Sequence, residues 1–387
     1  MHRLIRMAAL TGVVALSLIG GAGLVSAQGK HTNAGYVYVN NNTAGTNTIS
    51  AFQRNSDGSL TALAGSPFDV GGAGTGAAIG SQGALQLSAD GRYLLAVDAG
   101  SNDISVARIR HDGSVDPVQS TPVPSQGTAP VSIAVHGDLV YVANTGAGGS
   151  NYTGFRLNAG GHLTAIPGST FALPDDALPG DVLFSPDGAY LVGVRVGPNS
   201  GPSFVDSFAV GADGRLTPAA GSPFAAQVTG PFGSVFSPTH PHQLFVTNAH
   251  GGPGTGSVSV FDVENGVLDV IPGSPFANGQ TGTCWAAISA DGTVLFATNT
   301  GSNTISRYAV AADGSLTLLG NTPVTNPGPG GLGAFDLRLS PDGGSLYLVD
   351  SSGRVSAFSV DGSNLTELTS SPFATSTGSA PFGLVVD

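Results

Sequence analysis

CWAAISADGTVLFATNTGSNTISRYAVAADGSLTLLGNTPV, residues 284–324, holds four apolar segments, CWAAIS, VLFATN, TISRYAV and SLTLLGNTPV. Asp-Gly turns separate the first from the second and the third from the fourth. Segments this short, rich in β-branched and aromatic residues and bounded by Asp, Asn and Gly, read as strands. Asp-Gly tolerates the positive φ that a tight hairpin demands. The stretch therefore predicts an up-and-down, four-stranded antiparallel sheet.

The same order of segments returns in both directions along the chain. The second segment ends in Asn or Asp at Asn41, Asp98, Asn144, Asn248, Asn299 and Asp350, with Arg195 in the gap, at intervals of 57, 46, 51, 53, 51 and 51 residues. Seven copies of a four-stranded unit, repeated radially, make an all-β, seven-bladed β-propeller. GSPF at 65–68, 221–224 and 273–276, with SSPF at 370–373, falls at the outermost strand of its copy. There a proline's missing N–H costs no ladder bond, so the motif is expected to end that strand while its Phe covers the rim of the next blade. GYVYVNN at 35–41 is a second-type segment with no first-type segment before it, and APFGLVVD at 380–387 is a first-type segment with nothing after it. The C-terminal strand is expected to pair with the N-terminal segment and close the ring, which removes an open edge.

Ahead of the repeats, Arg3 and Arg6 precede an apolar run from Met7 to Ile19 and a small-residue stretch ending Val25-Ser26-Ala27. This is the pattern of a secretory signal peptide, and the run is too short to cross a bilayer of about 30 Å. The expected organisation is a signal peptide at 1–27, a short lead at 28–34 and one propeller domain at 35–387. The product is expected outside the cytoplasm, extracellular or periplasmic, as a monomer without membrane insertion.

The formal charge of −12 becomes −14 without residues 1–27, which carry two arginines and no acid, and Lys30 is the only lysine. Phosphate backbones select clustered Lys and Arg, so nucleic acid is not expected as a partner. The single cysteine, Cys284, cannot form an internal disulfide and reads as a small buried apolar packer. No G-x-S-x-G, H-E-x-x-H, paired cysteines or EF-hand loop occurs, and no cofactor or metal is expected. The glycine-rich run at 71–80 lacks the helix a phosphate cradle needs, and His240 and His242 fall in a turn of the opposite face.

All SPDG and Asp-Gly turns fall on one face of such a ring. The inter-blade loops, including the longer ones at 69–83, 172–180 and 324–331, fall on the other, where a small-molecule site is expected. Counting back four residues from the Ser of SPDG places Ala84, Pro130, Asp181, Gly233, Trp285, Asp336 and Gly383 around the channel; two back stand Gln86, Ser132, Leu183, Val235, Ala287, Arg338 and Val385. Asp181, Asp336 and Arg338 are the catalytic candidates, a carboxylate activating water and an arginine holding the oxyanion. Arg195, Trp285, Gln86 and His250 are the candidates for binding a ligand at the channel mouth. The alternative reading of the charged set is an ion-pair plug that stiffens the channel.

YVAN, FVTN, FATN, SPDG, TISRYAV and GSPF, in this order and spacing, resemble the seven-bladed lactonase propellers, the family of the bacterial 6-phosphogluconolactonase and of fungal muconate-lactonizing cyclases. The resemblance runs from Gly35 to Asp387, and its motifs are shared with YVTN-type surface propellers. It implies hydrolysis of a lactone, sugar-derived or other. Active members carry His pairs and Arg-His pairs where innermost strands begin, whereas GALQLS, APVSIAV, PGDVLFS and AFDLRLS hold no His here. Two expectations follow: an exported lactone hydrolase, or a non-catalytic secreted or cell-surface binding propeller.

Overall fold

The computed structural model describes residues 33–325, 333–350, 352–376 and 380–387. The signal peptide read at 1–27, most of the lead at 28–34 and most of the loop at 324–331 lie outside the described residues. Each SPDG turn is held by its own side chains. Ser185 Oγ donates to Asp187 Oδ1 at 2.6 Å and accepts the N–H of Tyr190, which opens the next strand, at 2.9 Å. Gly188 makes the reversal at φ +71°. Ser88, Ser289 and Ser340 repeat the arrangement.

Among the described residues the strands form seven antiparallel sheets, one per copy, in the order first, second, third, fourth segment. Blades 2 to 7 span 85–124, 130–172, 179–225, 231–277, 283–323 and 337–374; blade 1 takes 33–69 and the strand Leu384–Val386. That C-terminal strand pairs antiparallel with Asn33–Asn40, Val385 opposite Tyr38, and packs against the first strands of blades 7 and 2. Neighbouring blades are also joined by tyrosines of the second strand. Tyr38 donates to Gly113 O at 3.0 Å, Tyr141 to Gly214 O at 2.7 Å and Tyr347, of blade 7, to Gly58 O of blade 1 at 2.8 Å.

GSPF does not end the outer strand; it splits it. Leu60–Ala62 and Phe68–Asp69 both pair with Thr48–Asn55, the first before the motif and the second beginning at its phenylalanine. In the gap the serine hydroxyl takes over the ladder: Ser66 Oγ accepts Ala51 N at 2.9 Å, and Ser222, Ser274 and Ser371 accept Ser207, Val260 and Ala357 in the same way. The motif's phenylalanine packs on an apolar layer, Phe68 against the cluster of blade 1 and blade 2 residues that includes Tyr38, Leu85 and Leu94. Blade 6 lacks the motif, and its outer strand Leu316–Pro323 runs unbroken apart from a bulge.

Candidate functional site

The first strands present two rings of residues to the axis. In blade 3 the two-residue turn between the paired His136 and Leu139 replaces the longer SPDG turn. Counting from the serine position therefore runs two residues out of register there. Pairing places Ser132, opposite Ala143, in the ring of Asp181, and Ala134 in the ring of Gln86. Pro130 lies ahead of both rings.

Asp181 is buried, 2% exposed, and its carboxylate is enclosed by hydrogen bonds. Oδ2 accepts Ser234 Oγ at 2.6 Å, Ser234 N at 2.9 Å and, weakly, Gln82 Nε2 at 3.4 Å; Oδ1 accepts Ser132 Oγ at 3.2 Å. Burial nonetheless raises its pKa to about 7, against the opposing effect of Ser234, Arg338 and Ser132. Asp336 is fully buried, and burial raises its pKa also. Its Oδ1 takes Arg338 Nη1 at 2.6 Å. Arg338 lies one ring nearer the turn face, where it is partly exposed, as is Gln86, which lines a cleft of about 280 Å³ with His136 and Pro186.

The loop-face end of the channel is closed. Ser81 and Gln82 enter it from the loop that precedes blade 2: Ser81 O accepts Trp285 Nε1 at 2.7 Å, Gln82 Oε1 accepts Ala286 N at 3.0 Å, and Gln82 Nε2 donates to Ser234 O at 2.6 Å. A Cβ on Gly233 would fall 2.4 Å from Gln82 Oε1, so only glycine admits this side chain. Trp285 is 2% exposed and packs edge-on to Phe232 at 4.8 Å, with Phe335 and Phe382 beyond. Trp285 is thus part of the plug and offers no face to a ligand. Cys284 is buried beside it, and burial pushes its thiol up to about 11.

Arg195 does not reach the channel. Its Nε and Nη2 grip the two oxygens of Asp206, each at 2.6 Å, and Tyr152 of blade 3 adds a third bond to Asp206 Oδ2 at 3.1 Å. Asp206 stands two residues beyond Phe204, the residue paired with Arg195, just as Ser259 stands two beyond Ser257, paired with Asn248, and Ser306 two beyond Thr304, paired with Asn299. One charge swap has replaced the Asn–Ser contact seen in blades 1, 5 and 6, and Arg195 is consumed by it. The expected grouping of Arg195 with Asp181, Asp336 and Arg338 at one mouth is therefore corrected: Asp336 and Arg338 pair with each other near Asp181, and Arg195 belongs to a contact between blades 3 and 4.

His250 opens on a different space. Ala249 N and His250 N donate to Gly230 O and Thr229 O, at 2.8 and 3.2 Å, which fixes the loop after blade 5's second strand. The imidazole lies on Gly230, where a Cβ would come within 2.5 Å of its Cγ. Nδ1 is buried without a hydrogen-bond partner, and burial lowers the ring's pKa below its usual value. The cleft it lines measures about 380 Å³ and draws walls from four loops: Ile79 and Gly80; Thr145; Leu178 and Pro179; Val196, Gly197, Pro198 and Asn199, with Phe232 also lining it. Chemically this is an apolar pocket carrying one neutral imidazole, one hydroxyl and one amide. Sequence reasoning picked out His250 alone. Thr145 and Val196 each follow the Asn/Asp-column residue of their copy, and Gly197 and His250 stand one further on, but the residue types differ from copy to copy, so the repeat gives no sign that they form one cleft; the phenylalanines at 232, 335 and 382, each next to the start of a first strand, do mark the plug. Among the described residues no group of three His, Cys, Asp or Glu side chains could hold a metal.

Residues 29–170 and 175–370 match the family model described as Lactonase, 7-bladed beta-propeller. A solved structure from Bacteroides uniformis, of a protein proposed to be a 6-phosphogluconolactonase, superposes at TM-score 0.71 and 20% identity over 92% of this chain and 100% of that one. A similarly described protein from Bacteroides fragilis gives 0.70 and 20%, over 91% and 97%. The periplasmic gluconolactonase PpgL of Pseudomonas aeruginosa gives 0.67 and 20%, over 91% and 98%. At such identity the likeness is one of fold. No curated protein matches the chain.

Proposed function

The chain belongs to the seven-bladed β-propeller lactonase family, and from that premise we propose that it hydrolyses a lactone in the loop-face cleft beside His250. The observation that carries the reading is the imidazole itself: a histidine in the wall of a pocket of ligand size, its pKa lowered by burial, is neutral and able to take a proton at pH 7. Water attacks the acyl carbon while His250 accepts its proton. The tetrahedral oxyanion finds its donors among the Thr145 hydroxyl and the Asn199 amide, and collapse breaks the ring acyl–oxygen bond, the imidazolium returning the proton to the leaving alkoxide. The leader read at 1–27 would carry this chemistry outside the cytoplasm, the compartment that the name of the Pseudomonas aeruginosa protein gives for that enzyme.

His250→Gln tests the reading. Loss of a general base should lower kcat/KM on any lactone turned over by about 10²–10⁴-fold, with the unfolding midpoint unchanged because Nδ1 has no partner to lose. The wild-type profile should be flat above neutrality and fall only below a pKa under about 6.5, the ordinary histidine value. Undiminished turnover by the variant would place the chemistry elsewhere.

A further inference from the structure

We propose that the lactone taken by this pocket is uncharged and carries an alkyl or similarly apolar substituent, so that a phosphorylated sugar lactone is a poor substrate. The inference rests on the hydrolytic reading above and adds the substrate class. Its basis is what lines the cleft: Ile79, Leu178, Pro179, Val196, Pro198 and Phe232 are apolar, and no Lys or Arg is among the lining residues. Arg195, next in sequence to Val196, is already bound through two nitrogens to Asp206. Leu178 stands 41% exposed at φ +45° on this wall, a large apolar side chain presented where burial against a ligand is the available gain.

A phosphate dianion gains nothing here. It would surrender hydration to an apolar wall, face an imidazole that is neutral at pH 7, and approach a chain of net charge −12. A neutral lactone meets none of these costs, and its apolar part covers Leu178 and Phe232. The volume of about 380 Å³ is at the small end of the range for ligand pockets, about 300–1,000 Å³, and suits one ring with a short chain. Hydrolysis then converts a neutral ligand into a hydroxy acid that ionises, an anion the same pocket does not retain. Product release follows from the same lining that selects the substrate.

The experiment compares kcat/KM of the purified chain on a δ-lactone bearing a pentyl group, on unsubstituted δ-valerolactone and on 6-phosphogluconolactone, alongside calorimetric binding of the pentyl δ-lactam, which resists hydrolysis. The pentyl lactone should exceed the unsubstituted one by about tenfold or more, with the phosphorylated lactone below both. Leu178→Arg should narrow or reverse that order, since it exchanges apolar wall for a cation at the same place. Preference for the phosphorylated lactone would overturn the inference and leave hydrolysis standing. Tight binding of the lactam with no turnover of any lactone would support the apolar, neutral ligand and sink the hydrolytic reading. Neither binding nor turnover would overturn both.

Discussion

Asp181 is the residue whose protonation the fold changes most legibly. Unfolded, it titrates near 3.8; folded, burial raises it to about 7. The folded state holds the proton more tightly, so this residue's contribution to stability is full below pH 3.8 and is lost as the pH climbs through 7. At about 1.36 kcal/mol per pKa unit, the loss is roughly 4 kcal/mol. Asp181→Asn keeps the shape, can still accept from Ser234 and cannot ionise. Relative to wild type, the variant should therefore gain a few kcal/mol in urea unfolding between pH 4 and pH 8. Asp98, raised by burial to about 6, is present in both proteins and cancels in the comparison. Parallel curves of stability against pH would show that Asp181 carries no proton into the neutral range. The sequence flagged this aspartate as an acid in an apolar column. It did not reveal that Ser132, Ser234 and Gln82 converge on it, because those three come from different copies and one of them from an inter-blade loop.

Within a blade, the second and third strands are joined by a side-chain contact that recurs as Asn with Ser, and blade 4 writes it as Arg195 with Asp206. Both partners are buried, with side-chain exposures of 11% and 1%. Asp206→Ala would leave a guanidinium buried without its carboxylate, at a cost of about 3–5 kcal/mol. Rewriting the pair in the idiom of blades 1, 5 and 6, Arg195→Asn with Asp206→Ser, should recover most of that loss, because Asn248 with Ser259 already fits this geometry. Urea unfolding of the wild type and the two variants measures the coupling; a double variant no more stable than Asp206→Ala would refute the equivalence. The exchange was legible in principle. Ser50, Ser105, Ser259, Ser306 and Ser356 occupy one column of the third strands, and Asp206 breaks that column in the same blade in which Arg195 breaks the Asn/Asp column. Two exceptions on one blade compensate each other, whereas Arg195 read alone looks like an unspent charge.

At the scale of the ring, the fold could be read because all seven blades keep the strand period and most repeat the same local devices: Ser-Asp turns in blades 2, 4, 6 and 7, Asp-Gly or related turns before the outer strand, and tyrosines reaching the next blade from blades 1, 3 and 7. The pocket could not, since the residue types after the second strands at Thr145, Val196 and His250 change from copy to copy, and Ile79 and Leu178 lie on inter-blade loops of unequal length. The C-terminus shows how much of the molecule's stability depends on a few residues far from their partners in sequence. Leu384–Val386 pairs with Asn33–Asn40, Leu384 and Val385 are buried, and Phe382 stacks on Phe335 at 4.9 Å within the channel plug. Deleting residues 380–387 removes three buried apolar side chains, each contributing about 1.5–3 kcal/mol. It also exposes the inner edge of Asn33–Asn40, an uncapped strand of the kind that pairs with other chains. The truncated chain should lose most of a typical folding free energy of about 5–15 kcal/mol and accumulate as aggregate, and light scattering with thermal unfolding of the soluble fraction reads both effects. If the edge is the hazard, supplying the peptide APFGLVVD in excess should restore soluble protein, as an added strand satisfies the exposed N–H and C=O groups. A truncated chain that unfolds at the wild-type temperature would mean that blade 1 holds with three strands and that the C-terminal strand is dispensable.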